Sequence, residues 1–563
     1  MYGQKRFSLK IISKDSTANK EFSMPDYQTK FDVTADRTKE LQRVLLALYS
    51  NAYLSASIDS LVSDSTVLKA YLHQGAQYQW ANLRKGNVDE GLLSQLGYSE
   101  KLYRKAPFYY KDVSKLMDKI LTFYEGHGYP FAQVKLDSIK MKGNEISASL
   151  FLAKKRLEKI DSIVVKGDLK LSSRYLYGYL GIKPGDFYDE SKIKAASARL
   201  RALPFVSEAK PLQVIFVEDK VRIYFFLGKK SANQFNGIIG ILPNTSGVIN
   251  ITGDVSLQLQ NSFHHAEEIG FHWQHIQAQT EDLTLHFSYP YLLNTPIGFD
   301  NDFKLYKQDT TYLQTDEKVG LKYMLIGGNY WKVFYENITS SLLSTSVLQY
   351  STSGLPSYAD VTTQLYGIEY KYTALDYIYN PRKGFEILVS AAAGTKQIHQ
   401  NPKLNPLIYD GLQLNSDEYR ANINAAYYIP IMNRSTIEFA LKGGYLNAPS
   451  LLLNDLYRIG GFSTIRGLDE QLIYANEYSI GTIEYHYLLE QNSFLFLFFD
   501  QGWYQQNIAG DAAVRDIPFG FGAGMDFQTK AGIFSLAYAL GREFNNPISF
   551  KDGKISFGLI NNF

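Results

Sequence analysis

The second half of the chain alternates apolar and polar residues with a period of two. In one stretch, the apolar set is Tyr366, Ile368, Tyr370 and Tyr372, and the intervening set is Leu365, Gly367, Glu369 and Lys371. A β-strand with this pattern has one apolar face and one polar face. The longest strongly apolar run, Phe494 to Phe499, is far shorter than the roughly 20 residues that a spanning helix needs. If this chain crosses a membrane, it crosses as strands.

Strands that cross a bilayer must close into a barrel. Hydrocarbon offers no hydrogen-bond partner to an open sheet edge, so every edge has to be paired. At roughly 20 residues for each strand and its connection, residues 231–563 hold about 16 strands. We therefore predict a transmembrane antiparallel β-barrel over residues 231–563, with 16 strands as the expected number. A soluble β-propeller or a long β-sandwich would also alternate in this way.

Three helix-like stripes recur in the first half of the chain. Their apolar residues follow the i, i+3, i+4 spacing of an amphipathic helix. The stripes consist of Leu41, Val44, Leu45 and Leu48; of Val113, Leu116, Met117, Ile120 and Leu121; and of Ile193, Ala196 and Leu200. A turn follows each stripe, and the equivalent residues Tyr53, Tyr129 and Leu203 lie 76 and 74 residues apart. This spacing predicts a repeat of domain size.

Each repeat is predicted to be a small α+β domain. In the second copy, residues 132–136 alternate before a turn at 142–144, and residues 146–152 alternate after it, which is a hairpin pattern. A strand, then helices, then a hairpin resemble the polypeptide-transport-associated (POTRA) domain. We predict three such domains, 1–75, 76–156 and 157–230. Any small α+β module that serves as a rigid spacer would fit the same pattern.

The two halves of the chain differ in charge. Residues 1–230 hold 38 basic and 25 acidic side chains, and residues 231–563 hold 20 and 31. The basic excess is spread along the first half and is typical of a solvated surface, so we expect no nucleic-acid partner. The absence of cysteine excludes disulfides and thiolate metal sites. No apolar stretch resembling a signal peptide follows Met1, so we expect the mature chain.

The sequence gives no support for an enzyme. It contains no nucleophile elbow, no phosphate-binding glycine loop and no H-E-x-x-H motif, so we expect no catalytic residues and no cofactor. One histidine cluster consists of His264, His265, His272 and His275. On a strand, His272 and His275 would lie on opposite faces, and therefore we expect no metal site there.

One segment points to a family. Residues 460–468, Gly-Gly-Phe-Ser-Thr-Ile-Arg-Gly-Leu, resemble the arginine-glycine signature of the inward-folded loop in the BamA/TamA superfamily of outer-membrane assembly and translocation barrels. Residues 498–502 match the family's F-x-D-x-G strand pattern, and residues 481–485 resemble the strand before it. The resemblance assigns the loop motif to Ile465, Arg466, Gly467 and Leu468, its carboxylate partners to Glu484 and Asp500, and the strand motif to Phe498 and Gly502.

The pairing that the resemblance implies agrees with elementary electrostatics. An arginine in a crowded lumen is costly unless it is paired, and its planar guanidinium grips carboxylates in a fixed orientation. Glu484 shares a strand face with His486, opposite Ile483 and Tyr485, so it is expected to point inward. We therefore expect Arg466 to pair with Glu484, Asp500 or both. Leu468 stands where the family usually has an aromatic residue.

The end of the chain resembles the C-terminal targeting strand of bacterial outer-membrane proteins. Ser556, Gly558 and Phe563 fit its polar, glycine and terminal aromatic positions. In the predicted barrel this last strand meets the first strand, near residues 233–242, at a seam. Gly237 and Gly240 would weaken or bend the first strand and so form part of a gate strand.

The resemblance implies a function. It predicts an insertase, assembly or translocation factor in the outer membrane of a Gram-negative bacterium, with POTRA domains in the periplasm and a domain count like that of TamA. Expected partners are unfolded outer-membrane or secreted client proteins, outer-membrane lipids, and periplasmic or inner-membrane accessory subunits. The alternatives are a two-partner secretion transporter dedicated to one exported protein and a passive porin or receptor.

Overall fold

The computed structural model describes most of the chain. The described residues are 7–15, 25–64, 66–217, 220–243, 249–277, 280–345, 357–377, 380–529, 532–548, 550 and 553–562. The chain separates into two compact units. The first comprises residues 1–161, 184–193 and 215–222, and the second comprises 162–183, 194–214 and 223–563.

All three predicted helices form. The helices are α1 (Thr34–Ser50), α2 (Glu90–Gln95), α3 (Tyr110–Glu125), α4 (Ser173–Leu180) and α5 (Glu190–Ala202). The apolar stripes of α1 and α3 are buried, because Val44 and Ile120 each have no exposed surface. None of the described helices is both long and apolar enough to span a membrane.

Strands and helices alternate in the first part of the chain. The strands are β1 (Phe7–Ser13), β2 (Lys30–Phe31), β3 (Ser57–Ser63), β4 (Val67–His73), β5 (Gln79–Arg84), β6 (Gln133–Lys142), β7 (Glu145–Ala153), β8 (Ile160–Lys166), β9 (Val206–Val217) and β10 (Lys220–Lys229). They form three sheets, with the orders β2-β1-β4-β3, β5-β7-β6 and β8-β10-β9. Each sheet lies inside one of the ranges 1–75, 76–156 and 157–230, whose boundaries stay predictions.

The remaining strands build the barrel and a small hairpin. They are β11 (Gln234–Pro243), β12 (Ile249–Gln260), β13 (Glu268–Gln277), β14 (Thr280–Tyr289), β15 (Ile297–Gln308), β16 (Tyr312–Met324), β17 (Tyr330–Leu342), β18 (Asp360–Leu375), β19 (Gly384–His399), β20 (Asn415–Met432), β21 (Ser435–Asn447), β22 (Tyr457–Ile459), β23 (Ile473–Ala475), β24 (Glu477–Glu490), β25 (Ser493–Gln506), β26 (Val514–Asp516), β27 (Phe519–Thr529), β28 (Gly532–Arg542) and β29 (Lys554–Asn562). The strands β22 and β23 pair only with each other in the described residues.

The barrel is a closed antiparallel sheet of neighbouring strands in chain order. Both β26 and β27 pair with β25, so they are two segments of one strand that is interrupted at residues 517–518. Counted in this way, the described residues form sixteen strands, which confirms the predicted fold class. The sheet closes between β11 and β29, where Gln234 pairs with Asn562 and Phe235 with Asn561.

The alternation follows the two faces of the barrel wall. Tyr366 and Ile368 are 68% and 53% exposed on the outside, whereas Leu365 before them and Glu369 after them are buried. The same holds for β21, where Phe439, Leu441 and Tyr445 are exposed. The apolar set therefore faces the surrounding hydrocarbon, and the small and charged set faces the lumen.

Within the second unit, α4 packs against the short turns at one end of the barrel. The backbone N–H of Ser172 donates to the carbonyl of His264, 2.8 Å away. The rings of Tyr175 and Tyr291 meet edge to face, with centroids 5.7 Å apart. A methyl group added at Gly178 would come 2.2 Å from the Tyr291 ring, so this helix can approach the turn only because Gly178 has no side chain.

Candidate functional site

A long loop between β21 and β24, residues 448–476, folds into the barrel; we refer to it as the lumen loop. Its hairpin, β22 and β23, carries the tip at residues 460–472. Apolar residues of the tip pack on the wall strands. The buried cluster comprises Ile459, Ile465, Leu468, Ile473, Ala475, Ile480 and Tyr504. Leu468 takes a buried place in this cluster, so an aliphatic side chain packs where the family usually has an aromatic ring.

Arg466 is held by both predicted carboxylates. Its Nε and Nη2 donate to the two oxygens of Asp500, at 2.8 and 2.7 Å, and its backbone N–H donates to Asp500 Oδ2 at 3.1 Å. Its Nη1 donates to Glu484 Oε2 at 2.5 Å. Asp500 has no exposed surface, and Thr482 Oγ1 donates to it as well. The loop tip is thus fixed to β24 and β25 through one guanidinium.

The strand motif completes this contact. The guanidinium carbon of Arg466 lies 3.6 Å from the centroid of the Phe498 ring, which is a close cation–π arrangement. Phe498 is 4% exposed, so the charge is covered on that side by a buried aromatic face. Arg466 therefore makes bidentate, single-carboxylate and aromatic contacts that a lysine could not reproduce together.

Glycines let the loop tip lie directly on the barrel wall. Gly467 has a φ of +93°, a backbone conformation that L side chains rarely adopt. On the wall, a methyl group at Gly520 would stand 1.7 Å from the carbonyl oxygen of Arg466. A methyl group at Gly502 would stand 2.6 Å from Ile465 Cδ1. The glycine of the F-x-D-x-G pattern therefore makes room for the residue before Arg466.

The Arg466 cluster continues along the lumen wall. Glu484 Oε1 lies 2.7 Å from His486 Nε2, and the same nitrogen lies 3.7 Å from Glu438 Oε2. The hydroxyl of Tyr428 donates to Glu438 Oε1 at 3.2 Å. His486 was expected on the same strand face as Glu484, whereas no sequence pattern pointed to Glu438 and Tyr428. These two residues lie on other strands, and strand register is not legible in one sequence.

The loop tip also reaches the last strand. Asp469 Oδ1 and Lys554 Nζ form an ion pair at 2.5 Å, although both side chains are partly exposed. The tip and strands β28 and β29 together line a cavity of about 180 Å³, and Ser556 is among its lining residues. The lumen loop thus has an electrostatic link to one flank of the seam.

The two strands of the seam share few pairs. The structure pairs β11 with β29 at two described positions, near the ends of the chain segments involved. By contrast, β11 pairs with β12 at ten positions, including Gly237 with Val255 and Gly240 with Thr252. Continuing the β11–β29 register would place Gly240 opposite Ser556. Ser556 and Gly558 lie on β29 as predicted, and Phe563 lies outside the described residues.

The four histidines of the sequence cluster lie in different surroundings. His264 and His265 belong to a turn, where the His264 carbonyl accepts from Ser172 and His265 Nδ1 lies 2.7 Å from the Phe263 carbonyl oxygen. His272 Nε2 lies 3.1 Å from Asp254 Oδ1. Among the described residues, the one convergent group of metal-ligating side chains is a different one, Glu438, Glu484 and His486.

A closed sixteen-stranded barrel with an arginine-clasped lumen loop and preceding α+β domains defines an outer-membrane protein of the protein assembly and transport class. The chain belongs to the Omp85 superfamily, because the Omp85 superfamily domain matches residues 253–563. A POTRA domain, described as a surface antigen variable number repeat, matches residues 158–227. This confirms the family resemblance and places the barrel in a Gram-negative outer membrane. The sequence matches none of the curated proteins with which it was compared.

Two solved CdiB structures share the fold. CdiB from Acinetobacter baumannii is 14% identical, covers 94% of this chain and 97% of its own, and has a TM-score of 0.51. CdiB from Escherichia coli is also 14% identical, with 94% and 99% coverage and the same TM-score. BamA from Haemophilus ducreyi lacking POTRA domains 1–3 is 14% identical, with 86% and 100% coverage and a TM-score of 0.42.

Proposed function

We propose that this protein inserts or assembles client proteins in the outer membrane by opening the seam between β11 and β29. The observation that carries the proposal is the short pairing of these two strands, at two described positions. Unpaired backbone donors and acceptors of a strand edge are a template for another strand. A client strand that pairs there gains backbone hydrogen bonds, and its own folding supplies the free energy, so neither a catalytic residue nor a cofactor is required.

The orientation of the chain in the membrane follows from its connections. At the end of the barrel that α4 contacts, the turns are short, such as residues 433–434 and 491–492. At the other end several connections are much longer, such as residues 400–414 and the lumen loop. Bacterial barrels have short periplasmic turns and long external loops. This pattern supports a periplasmic position for the α+β domains, whose edge strands offer clients a first site of pairing.

The lumen loop supports this proposal over a passive pore. Its buried apolar cluster and the Arg466 clasp occupy the lumen, which an open channel would keep clear for solute. A secretion transporter for one exported protein is the second candidate, and the same barrel architecture would serve it. An insertase would serve many outer-membrane proteins, whereas a secretion transporter would serve one exported protein.

The test is a reversible lock on the seam. The chain has no cysteine, so the pair Phe235→Cys and Asn561→Cys creates one disulfide between registered neighbours. We expect the oxidised protein in liposomes to lose insertion of an unfolded barrel client, seen as loss of the client's heat-modifiable gel band, and reduction to restore it. The matched control is Gln258→Cys with Gly270→Cys, a registered pair between β12 and β13.

The outcomes separate the candidates. Unchanged client insertion by the oxidised seam variant, with the disulfide verified, contradicts a lateral seam mechanism. In cells, depletion of an insertase lowers many outer-membrane proteins, whereas depletion of a dedicated transporter removes one secreted protein and leaves the others. A large ion conductance that Arg466→Ala does not alter would identify a passive pore.

A further inference from the structure

Four inward side chains on two neighbouring strands form a square beside the Arg466 clasp. In the register of β21 and β24, Glu438 lies opposite Glu484, and Thr436 lies opposite His486. Directly opposite residues of an antiparallel pair project to the same face, about 5 Å apart. Three of the four carry metal-ligating atoms, and these atoms all lie within 4.8 Å of one another.

Each carboxylate of the square has one oxygen held from outside and one directed at His486. Arg466 holds Glu484 Oε2, and Tyr428 holds Glu438 Oε1. The other oxygens, Glu484 Oε1 and Glu438 Oε2, lie 2.7 and 3.7 Å from His486 Nε2. Outer hydrogen bonds that orient ligand side chains in this way are typical of metal sites.

The spacing suits a small divalent cation. Ligand atoms at about 2.1 Å around a tetrahedral Zn²⁺ lie about 3.4 Å from each other. The two nitrogen–oxygen distances here, 2.7 and 3.7 Å, bracket that value, so shifts of up to about 0.7 Å would bring these two ligand pairs to it. Two carboxylates and one imidazole would leave the fourth position for water, as in sites with three protein ligands.

The charge of the cluster is compatible with a bound cation. Glu438, Glu484 and Asp500 carry three negative charges, and Arg466, which contacts two of them, carries one positive charge. Glu484 and Glu438 are mostly buried, and buried charges are costly unless they are paired. A divalent cation between Glu438 and Glu484 would place positive charge beside both carboxylates.

Thr436 supplies a separate observation. Its side chain has no exposed surface, and its Oγ1 has no hydrogen-bond partner in the part of the chain that the structure describes. It shares the lumen face with Glu438, two residues away, and lies opposite His486. A buried hydroxyl without a partner is unfavourable, and a water on the open metal position would provide one.

We infer that Glu438, Glu484 and His486 bind one divalent transition-metal cation in the barrel lumen, with Thr436 facing its water ligand. The ligand set of one imidazole and two carboxylates favours Zn²⁺ over the oxygen-only sites of Mg²⁺ and Ca²⁺. The bound ion would join β21 and β24 to the Arg466 clasp through Glu484. This site is independent of the seam and of the proposed client.

The experiment measures Zn²⁺ on the full chain in detergent. After removal of metals with chelator and dialysis against one equivalent of Zn²⁺, we expect one bound ion per chain. We expect His486→Gln and Glu438→Gln to raise the Kd for Zn²⁺ at least tenfold while the folded gel band is retained. Bound Co²⁺ in the unmodified chain should show the visible absorption of a four- or five-coordinate ion, which needs no variant.

His286 provides the matched control. It is also a lumen-side histidine between two acids, but opposite ring nitrogens face them: Nδ1 lies 2.6 Å from Asp302 and Nε2 lies 3.8 Å from Glu268. Those atoms do not converge on one point, so His286→Gln should leave Zn²⁺ binding unchanged. The inference is overturned if the unmodified chain retains no Zn²⁺, or if His286→Gln weakens binding as much as His486→Gln.

Discussion

Arg466 of the lumen loop grips Asp500 of β25 with three hydrogen bonds, two from the guanidinium and one from the backbone N–H. The guanidinium bonds, at 2.8 and 2.7 Å, run side by side to the two carboxylate oxygens, which is the fork geometry of strong arginine–carboxylate pairs. Asp500 has no exposed surface, so the carboxylate of this pair makes no contact with bulk water. Its value to the protein is largely the orientation that it imposes on the loop tip.

Removal of the arginine should release the loop. Arg466→Ala leaves Asp500 buried without its cation, and breaking such a pair costs about 3–5 kcal/mol. We expect a clear fall in the temperature at which the folded barrel band is lost on heating in a gel. Arg466→Lys should give an intermediate transition temperature, because lysine keeps the positive charge but cannot make the two parallel hydrogen bonds of the guanidinium.

A second arginine of the same loop is the control for that measurement. Arg458 donates to Tyr312 and Gln314 and lies 3.4 Å from the centroid of the Tyr306 ring, and none of these partners is an acid. Arg458→Ala should therefore lower the transition less than Arg466→Ala. Equal losses would show that the Asp500 pair has no special role.

The glycine contact under the loop tip makes a separate prediction. Gly520→Val should push the tip off the wall, because even a methyl group there would meet the Arg466 carbonyl at 1.7 Å. We expect a cysteine at Ile465, a fully buried position, to react with maleimide in the Gly520→Val background but not alone. Gly481→Ala is the control, since no atom lies within 4 Å of that position. Equal labelling in both backgrounds would argue against close docking.

The Asp469–Lys554 pair should act on the seam more than on stability. Both side chains are partly exposed, and ion pairs of this kind contribute about 0–1 kcal/mol. Lys554→Asp would place a second carboxylate beside Asp469, and the repulsion between the two would push β29 away from the loop tip. We expect slower disulfide formation in the Phe235→Cys, Asn561→Cys variant, and recovery when Asp469→Lys is added. If disulfide formation stays slow in the variant that carries both Lys554→Asp and Asp469→Lys, an electrostatic link is excluded.

Local patterns in the sequence were sufficient for the elements, whereas the clasp was predicted from the family resemblance. The stripe around Leu41 and Val44 became α1, and the residues around Gly143 became the turn between β6 and β7, because the periods of 3.6 and 2 are properties of the backbone itself. The resemblance to the family motifs assigned Arg466, Glu484 and Asp500, and strand alternation agreed with an inward Glu484. The structure brings all three together.

Contacts that depend on strand register could not be predicted from the sequence. Glu438 faces Glu484 only because of the offset between β21 and β24, and Gly520 meets Arg466 only after the loop has folded inward. Lys554 and Asp469 are 85 residues apart and belong to no shared motif. A single sequence states which face of a strand a residue occupies, but a shift of two residues in register would keep every face and change every partner.

Asp15 makes a pH-dependent link in the first α+β domain. Its carboxylate accepts from the backbone N–H groups of Gln74 and Gly75, at 2.5 and 3.2 Å, and lies 2.9 Å from His73 Nδ1. Partial burial acts to raise the pKa of Asp15, but the two backbone hydrogen bonds and His73 outweigh it, so the pKa is lowered. A lowered folded-state pKa stabilises the link above the unfolded value near 4, and the contribution is lost as the pH falls through the folded-state pKa.

Asp15→Asn should therefore weaken the hydrogen bonds to the Gln74 and Gly75 amides near neutral pH. We expect faster amide exchange of peptides that contain Gln74 and Gly75 at pH 7, because the amide oxygen is a weaker acceptor than the carboxylate. Comparison of the two proteins at each pH removes the intrinsic pH dependence of exchange. The difference should shrink below pH 4, where the unmodified carboxyl takes up its proton. A difference that stays constant down to pH 2 would show that the charge of Asp15 is not what holds the junction.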